Sequence, residues 1–306
     1  MDAAHTMESF ERSRMASRHD IKVDLDSNSS RAQIVELVGY DRRVLDVGTS
    51  TGYLAEALVE RGCIVTGIEL EPDAARQAEK YCDRVIVGDV ESLDLGAELG
   101  GVSFDVIVFG DVLQHLKNPL RVIERLKPFL DAEGCVVASI PNIAHGSVRL
   151  ALMQGEFRYR SQGLLDNMHL KFFTRKTVEQ LFEDARLLIT ESRRTTLGVF
   201  DTEIEIDRER VTEEVLRQVE EDPESLTYQF VLRASPVGKA ATLATYEKLL
   251  YALTRKVRGS EHTERMLDIR TRQLAEREQE VARLAQQVVD LNNRLARMVQ
   301  FGREEA

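Results

Sequence analysis

Apolar residues in this chain fall into short runs separated by turn-forming residues. Between residues 43 and about 234 the runs are Val44-Leu45 with Val47, Cys63–Ile68, Val85–Val87, Val106–Phe109 and Cys135–Ile140. Each is short and closes in Gly, Asp, Glu or Pro, the pattern of a strand buried on both faces. Helical spacing fills the gaps and predicts helices near 53–61, 73–82, 118–130 and 174–186. Strand and helix in alternation argue for an α/β fold with a parallel sheet between two helical layers. Two later β-rich stretches, Leu187–Thr190 and Thr227–Leu232, add to the sheet.

The flanks differ. Residues 1–42 begin polar and pass through the turn-rich Asp24–Ser30; Ser29 or Ser30 is placed to cap a short helix over Arg31–Val38. This reads as an N-terminal cap segment, at its simplest a helix packed before the sheet. At the other end Ser235-Pro236-Val237-Gly238 punctuates the sheet, and residues 235–306 read as a helical tail. Leu267, Leu274, Val281, Val288 and Leu295 share one heptad position, and Leu284, Leu291 and Met298 share the other. That seam predicts a coiled coil that pairs with a second copy or with a partner protein, Arg270 and Arg277 weakening its first half.

The most informative segment is Arg43–Leu54, a strand running into Gly48-Thr49-Ser50-Thr51-Gly52 and then a helix. Glycines here let the backbone bend sharply and let a ligand come close. A turn of this kind at the carboxyl end of a parallel strand is where α/β proteins hold nucleotide-like ligands. The dinucleotide pattern G-x-G-x-x-G fails, because its second and third glycines read Ser50 and Tyr53. The pattern G-x-S-x-G would make Ser50 a hydrolase nucleophile. That elbow needs earlier strands, and the polar residues before Val44 offer no convincing apolar run.

The acids at the strand ends point elsewhere. Val44–Gly52 resembles motif I of the class I S-adenosylmethionine-dependent methyltransferases, with Asp46 as its acid and Gly48 and Gly52 as its flanking glycines. Glu69, about twenty residues on at the end of the second run, is placed to accept both ribose hydroxyls, a task suited to two acceptor oxygens. The resemblance assigns Asp89 to the adenine amino group. It makes Gly110-Asp111-Val112-Leu113-Gln114-His115 the fourth motif with its following helix, and Pro141-Asn142 the close of the fifth strand. The cofactor-binding set it implies is Asp46, Gly48, Thr49, Gly52, Tyr53, Glu69, Leu70, Asp89, Val90, Gly110 and Asp111. The implied fold is α/β, a Rossmann-like seven-stranded and mostly parallel sheet with helices on both faces and an antiparallel last strand, followed by the coiled-coil tail. The methyltransferase domain then spans 43–234, with a lid insertion at about 142–173.

That insertion is rich in His, Arg, Asp, Tyr and Phe and follows the fifth strand, so it belongs over the carboxyl edge, where it suits a polar acceptor. Residues 20–190 resemble bacterial methyltransferases of glycan and cell-surface polysaccharide pathways, and more loosely the ubiquinone-type O-methyltransferases. The expected reaction is O-methylation of a sugar or glycan hydroxyl, with a small aromatic or lipid hydroxyl as the alternative. A non-enzymatic alternative is a cofactor-binding scaffold that recruits another enzyme through its tail. An alcohol needs a general base; His169, His145 and His115 are the candidates, with Asp111 and Asp166 behind them.

Composition removes other classes. The net charge is −11, and residues 239–306 carry more Lys and Arg than Asp and Glu, so the acidic excess lies in the catalytic body. Such a body repels phosphate backbones, and nucleic acid is not expected as a substrate. No run reaches membrane-spanning length, and Met1–His5 begins no signal peptide. Cys63, Cys82 and Cys135 are odd in number and scattered, which suggests neither a disulfide framework nor a metal site and fits a reducing cytoplasm.

Overall fold

The computed structural model describes residues 23–236, all of them within the unit Met1–Gly238. The expected coiled coil lies outside the described residues, as does the start of the cap segment. Seven strands form one sheet: β1 (Arg43–Val47), β2 (Ile64–Glu69), β3 (Arg84–Val87), β4 (Phe104–Gly110), β5 (Leu130–Pro141), β6 (Leu187–Thr196) and β7 (Thr227–Pro236). Their order is β3-β2-β1-β4-β5-β7-β6. The first five run parallel, and β7 pairs antiparallel with both β5 and β6.

Alternation along each strand divides the core between two faces. Leu45, Val47, Ile107, Phe109, Val136, Ala138 and Ile140 point to one face. Val44, Val106, Val108, Cys135 and Val137 point to the other. This is the period-two geometry of a pleated strand with both sides buried. The second face is covered by α1 (Ser30–Val38), α2 (Tyr53–Val59) and α3 (Pro72–Ala78). The first is covered by α4 (Leu95–Leu99), α5 (Pro119–Leu126) and, beyond β5, α7 (Arg175–Asp184). Helix α1 begins where expected, with the Ser29 hydroxyl accepting the Ala32 N–H at 3.2 Å. Its Ile34, Val35, Leu37 and Val38 are buried in the core, so it packs as a full member of the helical layer.

The helices are shorter than their periodicity predicts. The stretch expected as one helix over 118–130 ends at Leu126, passes through a 3₁₀ turn containing Pro128 and enters β5 at Leu130. Helices α4, α6 (Gly146–Met153) and α8 (Glu213–Glu220) were not anticipated. Nor was the second layer that two of them build. Val148, Ala151, Leu164, Leu165 and Ile204 form one small core, and Leu150, Val199 and Val219 form another. The stretch expected as a lid insertion is thus packed against the β6–β7 connection rather than standing alone.

The turn after β1 has its own packing logic. Gly48 and Gly52 have φ of 72° and 84°, and Ser50 between them has φ of 53°. A Cβ on Gly52 would lie 2.9 Å from the Ala78 Cα, and one on Gly48 would lie 2.6 Å from Val112 Cγ2. These two glycines admit the chain's own α3 and post-β4 turn, a closer requirement than the ligand approach inferred from sequence. Gly52→Ala combines a strained φ with a clash against backbone, and we expect a loss of roughly 2 kcal/mol or more in unfolding free energy. Chemical denaturation of the two proteins measures it, and equal midpoints would refute this account of the turn.

Candidate functional site

Strand order reverses between β1 and β4, with β2 and β3 on one side and β5 on the other, which opens a crevice at the carboxyl ends. Register sets the four acids along that edge. Val47 pairs with Ile68 and with Phe109, Glu69 with Val87, and Gly110 with Ser139. Asp46, Glu69, Asp89 and Asp111 therefore sit at or just beyond the ends of adjoining strands.

Glu69 joins two of these ends. Its Oε2 accepts the Ser50 N–H at 2.7 Å, and its Oε1 accepts the Glu71 N–H at 2.9 Å. Each oxygen has two lone pairs, so the backbone bonds orient the carboxylate and leave acceptor capacity for a diol. Beside it Leu70 is 60% exposed, an apolar surface at the strand end. Asp46 is buried, and its Oδ2 accepts the Thr49 hydroxyl at 2.8 Å. Burial raises its pKa to about 7, the Thr49 bond acting against the rise and the negative Glu69 adding to it. Thr49 is itself buried and turned inward to this bond. Tyr53 stands at the start of α2 under the Arg31 guanidinium, 4.5 Å from the ring centroid.

Asp89 is half-buried, and its Oδ1 accepts the Glu91 N–H at 2.8 Å, closing a tight turn. Val90 is buried in the core, and its carbonyl accepts from Arg125. Gly110 faces Ile34 and Leu54, which brings α1 and α2 against the end of β4. Asp111 has φ of 58°, a conformation uncommon outside glycine. Three bonds hold it there. Its N–H donates to Ser139 Oγ at 2.9 Å, the Ser139 hydroxyl donates to its Oδ1 at 2.8 Å, and Gln229 Nε2 donates to the same oxygen at 2.7 Å. Ser139 and Gln229 escape a sequence reading because they lie in β5 and β7, far from the motif they support.

The three histidines separate. His115 and His169 come together, ring centroids 4.9 Å apart at an interplanar angle of 63°. Nδ1 of His115 lies 3.1 Å from the Met168 carbonyl, and the Leu170 and Lys171 N–H groups donate to the Gln114 carbonyl at 2.8 and 3.0 Å. The segment after β5 is thereby fastened to the turn after β4. From His169 a series of edge-to-face rings leads outward through Phe172, Phe157 and Tyr159. His145 goes elsewhere. It is fully buried as the N-cap of α6, with Nδ1 2.8 Å from Ser147 Oγ and Nε2 3.1 Å from the Leu197 carbonyl. Burial lowers its pKa, which keeps the ring neutral. Both ring nitrogens being engaged inside the fold, His145 lacks the access a general base needs, contrary to the sequence expectation. Among the described residues no helix is long and apolar enough to cross a membrane.

A family model described as "Methyltransferase domain" matches residues 17–191 of the chain, more than half its length. The ubiquinone biosynthesis O-methyltransferase of Paracidovorax citrulli is 30% identical over 120 residues, 38% of this chain and 50% of that protein. Its counterpart from Xanthomonas campestris pv. campestris is 34% identical over 119 residues, 38% of this chain and 49% of that protein. The chain thus spans about half the length of these relatives. Their names point to ubiquinone biosynthesis and not to the glycan pathways expected from the sequence. Among solved structures, magnesium protoporphyrin IX methyltransferase from Synechocystis with bound SAH superposes with a TM-score of 0.50 at 15% identity, covering 76% of this chain and 95% of that one, a likeness of fold.

Asp46 also makes stability depend on pH. Its folded pKa lies above the ordinary aspartate value of 3.8, so between those values the native state holds a proton that the unfolded chain has lost. The stabilisation is present below the unfolded pKa and disappears as pH rises through about 7. We expect Asp46→Asn to unfold with the wild type near pH 4 and at a higher temperature than the wild type at pH 8; a constant difference across that range would remove the buried-acid assignment.

Proposed function

Because the chain belongs to the methyltransferase-domain family, we propose that it transfers a methyl group to a hydroxyl of a ring-bearing acceptor, with His169 as the general base. The domain is an S-adenosylmethionine-dependent methyltransferase, and that cofactor, when bound, supplies an electrophilic methyl on a sulfonium. The residues along the crevice fit such a ligand. Glu69 is pre-oriented by two backbone bonds to accept a diol, and Leu70 offers an apolar surface beside it.

The observation that carries the base assignment is the His115–His169 pair, fastened to the turn that follows β4. His169 accepts the hydroxyl proton, and His115 across the ring contact steadies the imidazole as it becomes positive. A base within hydrogen-bond reach contributes about 10²–10⁴ in rate. Asp111, strained and held from three sides, is a positioning group at the junction of cofactor and acceptor, in keeping with strain stored at functional sites. His145 orients α6 and the second layer.

The rings of Phe172, Phe157 and Tyr159 lead away from His169 and favour an acceptor with an aromatic or otherwise apolar body. The ubiquinone-biosynthesis names of the relatives agree with that reading. A sugar or glycan hydroxyl is the second reading. It is favoured by Arg160, Asp166 and His169 in the same segment, and by the ability of aromatic faces to carry a sugar ring as well as a phenol.

Two measurements test this. Calorimetric titration with S-adenosylhomocysteine should give binding that Glu69→Ala weakens at least about tenfold, the loss of a charged hydrogen-bonding group. Undiminished binding would place the ribose elsewhere. With labelled S-adenosylmethionine and a panel of catechols, phenols and nucleotide sugars, His169→Ala should lower turnover roughly 100-fold while cofactor affinity holds. Full turnover in that variant would end the base assignment.

A further inference from the structure

The loop that carries His169 has no secondary structure of its own, yet it is closely defined. Within it the Arg160 N–H donates to the Leu165 carbonyl at 2.8 Å and the Asn167 N–H to the Arg160 carbonyl at 2.9 Å. The His169 N–H donates to the Asp166 carbonyl at 3.0 Å. Asp166 Oδ1 accepts the Met168 N–H at 2.8 Å. These bonds define the loop internally, and its ties to the rest of the protein help set where His169 sits. One is the Gln114 carbonyl already described. Another uses a residue no motif contains.

Glu203 stands in the connection between β6 and β7. Its Oε1 accepts the Leu164 N–H at 2.6 Å, and its Oε2 accepts the Tyr228 hydroxyl at 2.9 Å. One carboxylate thus ties the loop to β7. Tyr228 is largely buried, and its phenol is held protonated by burial and by the negative Glu203. Gly163 has φ of 91°, and a Cβ there would run into the Glu203 side chain, so the loop backbone lies directly against the carboxylate. Arg160, paired with Glu205 at 2.9 Å, adds a weaker tie between the same two segments. The next residue of β7, Gln229, donates to Asp111. Adjacent residues of one strand thereby fix the loop of the proposed base on one face and the strained acid of the β4 turn on the other.

We propose that Glu203 is a positioning residue for the reaction: it sets the place of His169 by pinning the 160–169 loop to Tyr228. The proposal rests on the assignment of His169 made above. It acts through two hydrogen bonds, one to Leu164 and one to Tyr228, so the requirement is for two hydrogen-bonding atoms at that point and not for negative charge. Glutamine keeps an oxygen for the Leu164 N–H and an amide within reach of the Tyr228 oxygen. Alanine leaves both donors unmatched beside buried Leu164 and Leu165.

Carbon-13 spectra of the full chain labelled at histidine test this without an acceptor, His145 and His169 being assigned by their loss in His145→Asn and His169→Asn. His169 lies between the rings of His115 and Phe172, so ring currents make its signal sensitive to small displacements. The His145 ring meets the Tyr228 ring edge-on, centroids 5.9 Å apart, so its signal reports on Tyr228. The His169 signal should stay in place in the glutamine variant and move in the alanine variant, with S-adenosylhomocysteine affinity unchanged in both. A His169 signal unmoved in folded Glu203→Ala overturns the proposal, as does an equal displacement in both variants. Should the alanine variant fail to fold, Glu203→Asp, whose shorter reach cannot span both donors, takes its place under the same criteria. Because the readout is position, a failure here is distinct from finding that His169→Ala retains full turnover.

Discussion

Glu69 connects the two strand ends on which the site is built. The turn after β1 places Gly48, Ser50 and Gly52 at positive φ, a conformation that glycine adopts readily and serine only at a cost. The carboxylate at the end of the neighbouring strand takes the N–H in the middle of that turn and the N–H that opens α3. One side chain thus satisfies two backbone donors and fixes the carboxyl edge of β1 relative to β2. The acids at positions 46, 89 and 111 gain their relation to one another from the register of the strands that end there.

The central part of this arrangement was legible in the amino-acid sequence because it is local. Strand, turn and acid follow one another within a few residues at Val44–Gly52, at Ile64–Glu69 and at Phe104–Asp111, and hydrophobic period alone separates them. Both helical layers followed from the same alternation. What could not be read is non-local. Ser139 and Gln229 meet Asp111 only through strand pairing, and Glu203 meets Leu164 across a gap of 39 residues. His145 and His169 look equivalent as a sequence, each beside polar residues in one insertion. Folding encloses the first fully at the cap of α6 and sets the second, also buried, against His115.

The second layer shows what the insertion packs against. Residues 142–173 and the 197–226 connection each give side chains to two small clusters, which they complete together. Asn142 joins them to the sheet: it is fully buried, and its amide nitrogen donates to the carbonyls of Thr227 and Glu224 at 2.8 and 3.1 Å. The segment that carries His169 therefore rests on a scaffold with its own packing, and substitutions far along the chain, near Val199 or Val219, bear on that scaffold.

Burial of Asp46 gives the crevice a charge that depends on what occupies it. Uncharged below neutrality, the acid would surrender its proton more readily beside a positive ligand than beside a neutral one. A positive occupant of the strand ends would thus lower the pH at which this acid ionises, so that occupancy and the acidity of the surroundings are linked at the turn after β1.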